Sequence, residues 1–82
     1  MKEVFIKKYW ADEEITFYVH FKDDAAIRQI EVSPLGTKYL STTKLVNGES
    51  ILYDQGLNQL SIDGKDLITR EDFELIWKQG GD

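Results

Sequence analysis

The chain contains no cysteine, which excludes disulfides and thiolate metal sites and removes the usual staples of a small secreted domain, so a reducing compartment is the expected home. It also lacks any long apolar run. Near the N-terminus Val4-Phe5-Ile6 is cut short by Lys7 and Lys8, too little for a signal h-region or a membrane span. These absences predict a cytoplasmic protein with no membrane partner. Nor is there an internal repeat, a low-complexity tract or a linker, so residues 1–82 read as one domain. A chain of this size buries only about 60 to 65% of the surface that its unfolded form exposes. Two Trp, four Tyr and four Phe are the natural means of holding such a core, at roughly 150 to 250 Å² per ring.

Positive charge is scarce where it would matter. Residues 1–48 carry seven acids and seven bases, whereas residues 49–82 carry eight acids against three bases, so the whole net charge of −5 lies in the C-terminal part. A field of that sign repels nucleic acid and anionic membrane and attracts a basic partner. Tyr9, Trp10, Phe17, Tyr18 and Phe21 resemble in outline a base-stacking platform, but without surplus Lys and Arg the platform would not hold phosphate. Most of them read as core aromatics.

The sharpest positive signal is the segment Ile68-Thr69-Arg70-Glu71-Asp72-Phe73-Glu74-Leu75-Ile76-Trp77-Lys78-Gln79-Gly80-Gly81. Thr69 and Asp72 have the spacing of a capping box, and Gly80 is expected to supply a positive φ where the helix stops, giving a helix over residues 69–79. Phe73, Ile76 and Trp77 share one face, and Leu75 points away from it. Upstream, Glu3 to Trp10 alternates weakly and Ile15 to Phe21 alternates cleanly, with Ile15, Phe17, Val19 and Phe21 on one side. Turns at residues 11–14 and 22–25 and at Pro34-Leu35-Gly36 separate these from a third strand, Ile27 to Ser33, and a fourth, Thr37 to Thr42. Residues 43–56 read first as loop, with Ser50 to Tyr53 a possible edge strand, and Leu57 to Ile62 fits strand or helix equally. The expected fold is α+β: an antiparallel meander of about four to five strands, one face covered by the C-terminal helix and a polar face left to solvent.

No constellation of catalytic residues follows. His20, the single histidine, stands on the face opposite Phe17, Val19 and Phe21 near Asp23 and Asp24, and reads as a solvated sheet residue without a nucleophile beside it. Asp23-Asp24 and Asp12-Glu13-Glu14 read as hairpin turns. Asp63-Gly64-Lys65-Asp66 lacks the alternating acids and closing glutamate of a calcium loop, and the glycines lack phosphate-loop spacing. No cofactor, metal or enzymatic activity is expected.

Glu14 to Val19 after a strand ending in Trp10, then Asp23-Asp24, then Arg28-Gln29-Ile30-Glu31-Val32 with Gly36 in the next turn, and finally Ile68 to Trp77 together resemble a family of small single-domain bacterial proteins of unknown function. The closing Ser/Thr-Arg-Glu-Glu/Asp-Phe-Glu-x-x-Trp pattern is the most specific part. The chain departs from that family in residues 43–62, which are shorter and less acidic. The resemblance implies an α+β domain without known catalytic residues. Small acidic bacterial proteins of this kind are often immunity proteins or antitoxins, so the expectation is a protein that binds and neutralises a basic toxin domain, such as a nuclease; the alternative is an accessory or regulatory protein-binding domain without catalysis. The expected interface consists of Asp63, Asp66, Glu71, Asp72 and Glu74, with Leu75 and Tyr53 as apolar anchors.

Overall fold

The computed structural model describes residues 2–47, 50–54, 56 and 62–80. Four strands follow one another as a meander: β1 (Glu3–Trp10), β2 (Ile15–Lys22), β3 (Ala25–Ser33) and β4 (Gly36–Ser41). Two two-residue strands, β5 (Val46–Asn47) and β6 (Ser50–Ile51), pair with each other. A 3₁₀ turn (Gly64–Asp66) leads into β7 (Leu67–Ile68), which returns to pair antiparallel with Phe5 and Ile6 of β1, and helix α1 (Arg70–Trp77) follows. The five-stranded sheet has the order β4-β3-β2-β1-β7. The α+β meander with one C-terminal helix therefore stands, and β7 is its fifth strand.

Local chemistry explains the turns. Asp23 and Asp24 both adopt positive φ, 50° and 73°, the geometry of a two-residue primed turn whose twist matches its flanking strands. Aspartate tolerates that region better than a branched residue would. Asp23 is also pinned, since its carboxylate accepts from the Lys2 amide and its own amide donates to the Lys2 carbonyl. At the other sharp turn Gly36, with φ of 133°, closes the Pro34-Leu35 loop in a conformation that a side chain would disfavour.

The helix begins as its sequence requires. The Thr69 hydroxyl accepts from the Asp72 amide while the Asp72 carboxylate accepts from the Thr69 amide. Its other end differs from expectation. Gly80 does not take a positive φ; the chain stops by tightening into bonds from Gln79 N to Ile76 O and from Gly80 N to Trp77 O. Glycine is needed there for space, because a β-carbon at residue 80 would collide with the Tyr39 ring.

Each face of the sheet carries its own core. On one, α1 lays Phe73 and Trp77 on Phe5 and Ile30, flanked by Tyr18, Val32, Tyr39, Ile68 and Ile76. Burial of Phe73 and Trp77 stabilises this layer by roughly 1.5 to 3 kcal/mol per side chain. On the other, Ile6, Val19, Phe21, Ala26 and Leu40 pack with Leu52 from the segment after β6, and Val4, Phe17, Tyr53 and Ile62 close around them. The helix thus covers the side opposite Phe17, Val19 and Phe21, and the second face is not a polar one left to solvent: Leu52, Tyr53 and Ile62 cover part of it. Of the possible edge strand at 50–53 only Ser50–Ile51 is strand, as β6, and it pairs with β5 apart from the five-stranded sheet, while Leu57 to Ser61 lie outside the described residues.

Candidate binding surfaces

The C-terminal acids divide by what they do. Asp63 and Asp66 stand on the 3₁₀ turn, where the Asp66 carboxylate accepts from the Asp63 amide and pairs with Lys8 at 3.1 Å. Those bonds, the backbone one foremost, hold the Asp66 carboxyl below its ordinary pKa. Asp72 is taken up by the helix cap. Glu74 binds the Arg28 guanidinium through both oxygens, at 2.7 and 3.0 Å, and its carboxyl is lowered chiefly by that partner. Glu71 and Leu75 remain at the surface, beside Glu74 and Lys78 around a shallow hollow. The structure therefore groups Glu71, Glu74 and Leu75 on the helix and places Asp63 and Asp66 on the turn beside β1. Tyr53 does not join them. It lies across the sheet, half-buried and edge-on to Phe21, so it cannot anchor a contact shared with Leu75.

His20 departs furthest from expectation. It does lie opposite Phe17, Val19 and Phe21, but it is only 3% exposed, because that side is the one beneath the helix. Its ring stacks on Phe5 with centroids 4.2 Å apart and meets the edge of Phe73. Arg28 Nε donates to His20 Nδ1 at 3.0 Å, and since a guanidinium nitrogen can only donate, Nδ1 carries no proton. The proton is on Nε2, which donates to Glu3 Oε1 at 2.7 Å. Desolvation is the main cause that lowers the His20 pKa, with the nearby Arg28 charge adding to it and Glu3 opposing it. Glu3 reaches Arg70 with its other oxygen at 2.7 Å, and hydrogen bonds from Arg70 and then His20 hold its carboxyl low. Arg70 also approaches Glu74 at 3.9 Å, closing a ring of Glu3, His20, Arg28, Glu74 and Arg70. Arg28 lies over Phe73 and Trp77, and Arg70 over Phe5. This ring joins β1, β2 and β3 to the helix, with the imidazole buried inside it.

The opposite face holds a cleft of about 1020 Å³ between the β1–β2 and β3–β4 ends of the sheet. Cross-strand register places Lys8, Phe17, Glu31 and Lys38 in one row across it. Glu31 is buried and accepts from Gln29 Nε2 and Ser50 Oγ, each at 2.8 Å. Gln29 in turn binds the Ile51 carbonyl and the Tyr53 amide, tying the 50–53 segment to the sheet. At the rim Trp10, Leu35 and Ile51 are 57%, 100% and 62% exposed. The sequence carried one signal for this cleft: a glutamate in the middle of a strand, flanked by apolar residues, on the same side as Gln29.

Among the described residues no group of three or more potential ligands could hold a metal ion, and no helix is long and apolar enough to cross a membrane. Comparison with protein-family models, with curated proteins and with solved structures finds no match.

Proposed function

We propose that this protein is a binding protein of the immunity type, which neutralises a basic protein partner, a bacterial toxin domain, by covering it. The observation that carries this reading is the acidic surface of the C-terminal part: Asp63, Glu71 and Asp72 are exposed, while Arg70, one of only three bases beyond residue 48, is engaged by Glu3. A surface of one sign speeds encounter with a partner of the other. Leu75, 56% exposed within that surface, supplies an apolar contact that charge alone lacks. The resemblance of the Thr69 to Trp77 segment to small bacterial proteins points the same way.

Asp63 and Glu71 are the positions for a test, because Asp66, Asp72 and Glu74 hold the fold and their reversal would disturb it. With the chain as bait in extracts of its own host, the captured protein is identified and its toxicity measured with and without this chain. A toxic, basic partner relieved by co-expression is the expected result. In stopped-flow mixing at two salt concentrations, the Asp63→Lys/Glu71→Lys variant should associate several-fold more slowly, with a flatter salt dependence and an unchanged melting temperature. An acidic or harmless partner, or an unaltered salt slope, would refute the reading.

A further inference from the structure

We propose that the cleft on the face opposite the helix is a binding site for an arginine side chain presented by an extended segment of another protein, with Glu31 as the receiving carboxylate. The inference stands apart from the immunity reading and uses none of its residues.

Three observations lead to it. First, Glu31 is buried and, among the described residues, its two oxygens accept only from neutral donors, and buried carboxylates ordinarily have a cation beside them. Among the described residues neither neighbouring lysine forms an ion pair with it. Lys8 pairs with Asp66, and Lys38, directly across the strand pair from Glu31, forms no ion pair with it among the described residues.

Second, the molecule shows elsewhere what completes such a place. Beneath the helix, Arg28 lies between the Phe73 and Trp77 rings and the Glu74 carboxylate, and Arg70 between the Phe5 ring and Glu3. Both pairings use a planar, weakly hydrated cation that stacks on a ring while its N–H groups meet a carboxylate. The cleft has the ring and the carboxylate side by side, since Phe17 is the cross-strand partner of Glu31, and it contributes no arginine of its own.

Third, the rim favours a polypeptide over a small cation. Trp10, Leu35 and Ile51 are each more than half exposed around one opening, and large apolar side chains exposed together at one opening suit a protein contact. The volume exceeds what one side chain fills, so the flanking residues of the segment would lie against Trp10 and Ile51.

The probes are a capped Val-Arg-Val tripeptide and its citrulline counterpart, which keeps the shape and loses the charge. They are titrated against the isotope-labelled full chain while the Gln29 side-chain amide and the Trp10 indole are followed by NMR. The arginine peptide should shift both signals and bind at least tenfold more tightly than the citrulline peptide, and Glu31→Gln should abolish the difference. Lys38→Met, which leaves the carboxylate in place and removes the ammonium directly across the strand pair from it, should tighten arginine binding. Absence of shifts at millimolar peptide, equal affinity for the two peptides, or weaker arginine binding in Lys38→Met would each overturn the proposal, and the last holds even if the Glu31 variant fails to fold.

Discussion

Acid should loosen this protein through His20 before it touches any carboxylate. The native imidazole is neutral by geometry, held between an Arg28 N–H and the Glu3 carboxylate, and burial disfavours its charged form. A proton added at Nδ1 would face the Arg28 N–H and break the ring that ties the helix to the sheet. The unfolded chain, with an ordinary histidine pKa of about 6.5, takes up that proton readily, so stability is full above that value and falls as pH drops below it. While the folded imidazole remains neutral, the loss approaches about 1.4 kcal/mol per pH unit. At about 4–8 °C per kcal/mol for a domain of this size, the melting temperature should fall by up to about 10 °C per unit at its steepest. Glu3 and Glu74, whose carboxyls are lowered in the fold, contribute stability present above the ordinary glutamate range, and its loss follows at more acid pH. Differential scanning fluorimetry from pH 7.0 to 5.3 isolates the histidine, the single one in the chain. The parent should show the slope, and His20→Gln, which cannot take the proton, should melt at a constant temperature across that window whatever its baseline. A flat parent profile would refute the buried-neutral assignment.

Two further outcomes test the packing. Trp77→Ala should cost about 3 to 5 kcal/mol, the range for a truncated buried aromatic, because Trp77 is 6% exposed and stacks on Phe73 and meets Tyr39 edge-on; coincident urea melts of variant and parent would contradict this. Gly80→Ala should destabilise by about 1 to 3 kcal/mol as an overpacked contact, since the new methyl must displace the Tyr39 ring, and pairing it with Tyr39→Ala should remove the penalty.

Legibility in the sequence followed the range of the interaction. Strands β1 to β4 and the capped start of α1 rest on alternation, on turn residues and on a three-residue spacing, all of which lie within a short window. The ion ring does not: Arg28 and Glu74 are 46 residues apart, and nothing near either one signals the other. The face chosen by the helix was hidden for a related reason. Clean alternation in β2 drew attention to Phe17, Val19 and Phe21, while the side that receives the helix carries His20, whose polar atoms look suited to water until Glu3 and Arg28 satisfy them. The need for glycine at residue 80 is steric and not conformational, and it arises from Tyr39 on a different element. For the acidic surface, the charge count was visible but the division of labour was not. Ion pairs neutralise Asp66 and Glu74, the cap ties Asp72 to the start of the helix while leaving it exposed, and Tyr53 belongs to the other face.

Helix α1 runs across the meander like a strap, touching β1 through Arg70, β2 and β3 through Phe73 and Glu74, and β4 through Trp77. The hairpins it crosses are local and can zip in chain order. The strap is also the element synthesised after all of them. On the ribosome, therefore, the sheet emerges with Phe5, His20 and Ile30 bare on one side, and the layer they form with Phe73 and Trp77 closes only when the helix docks.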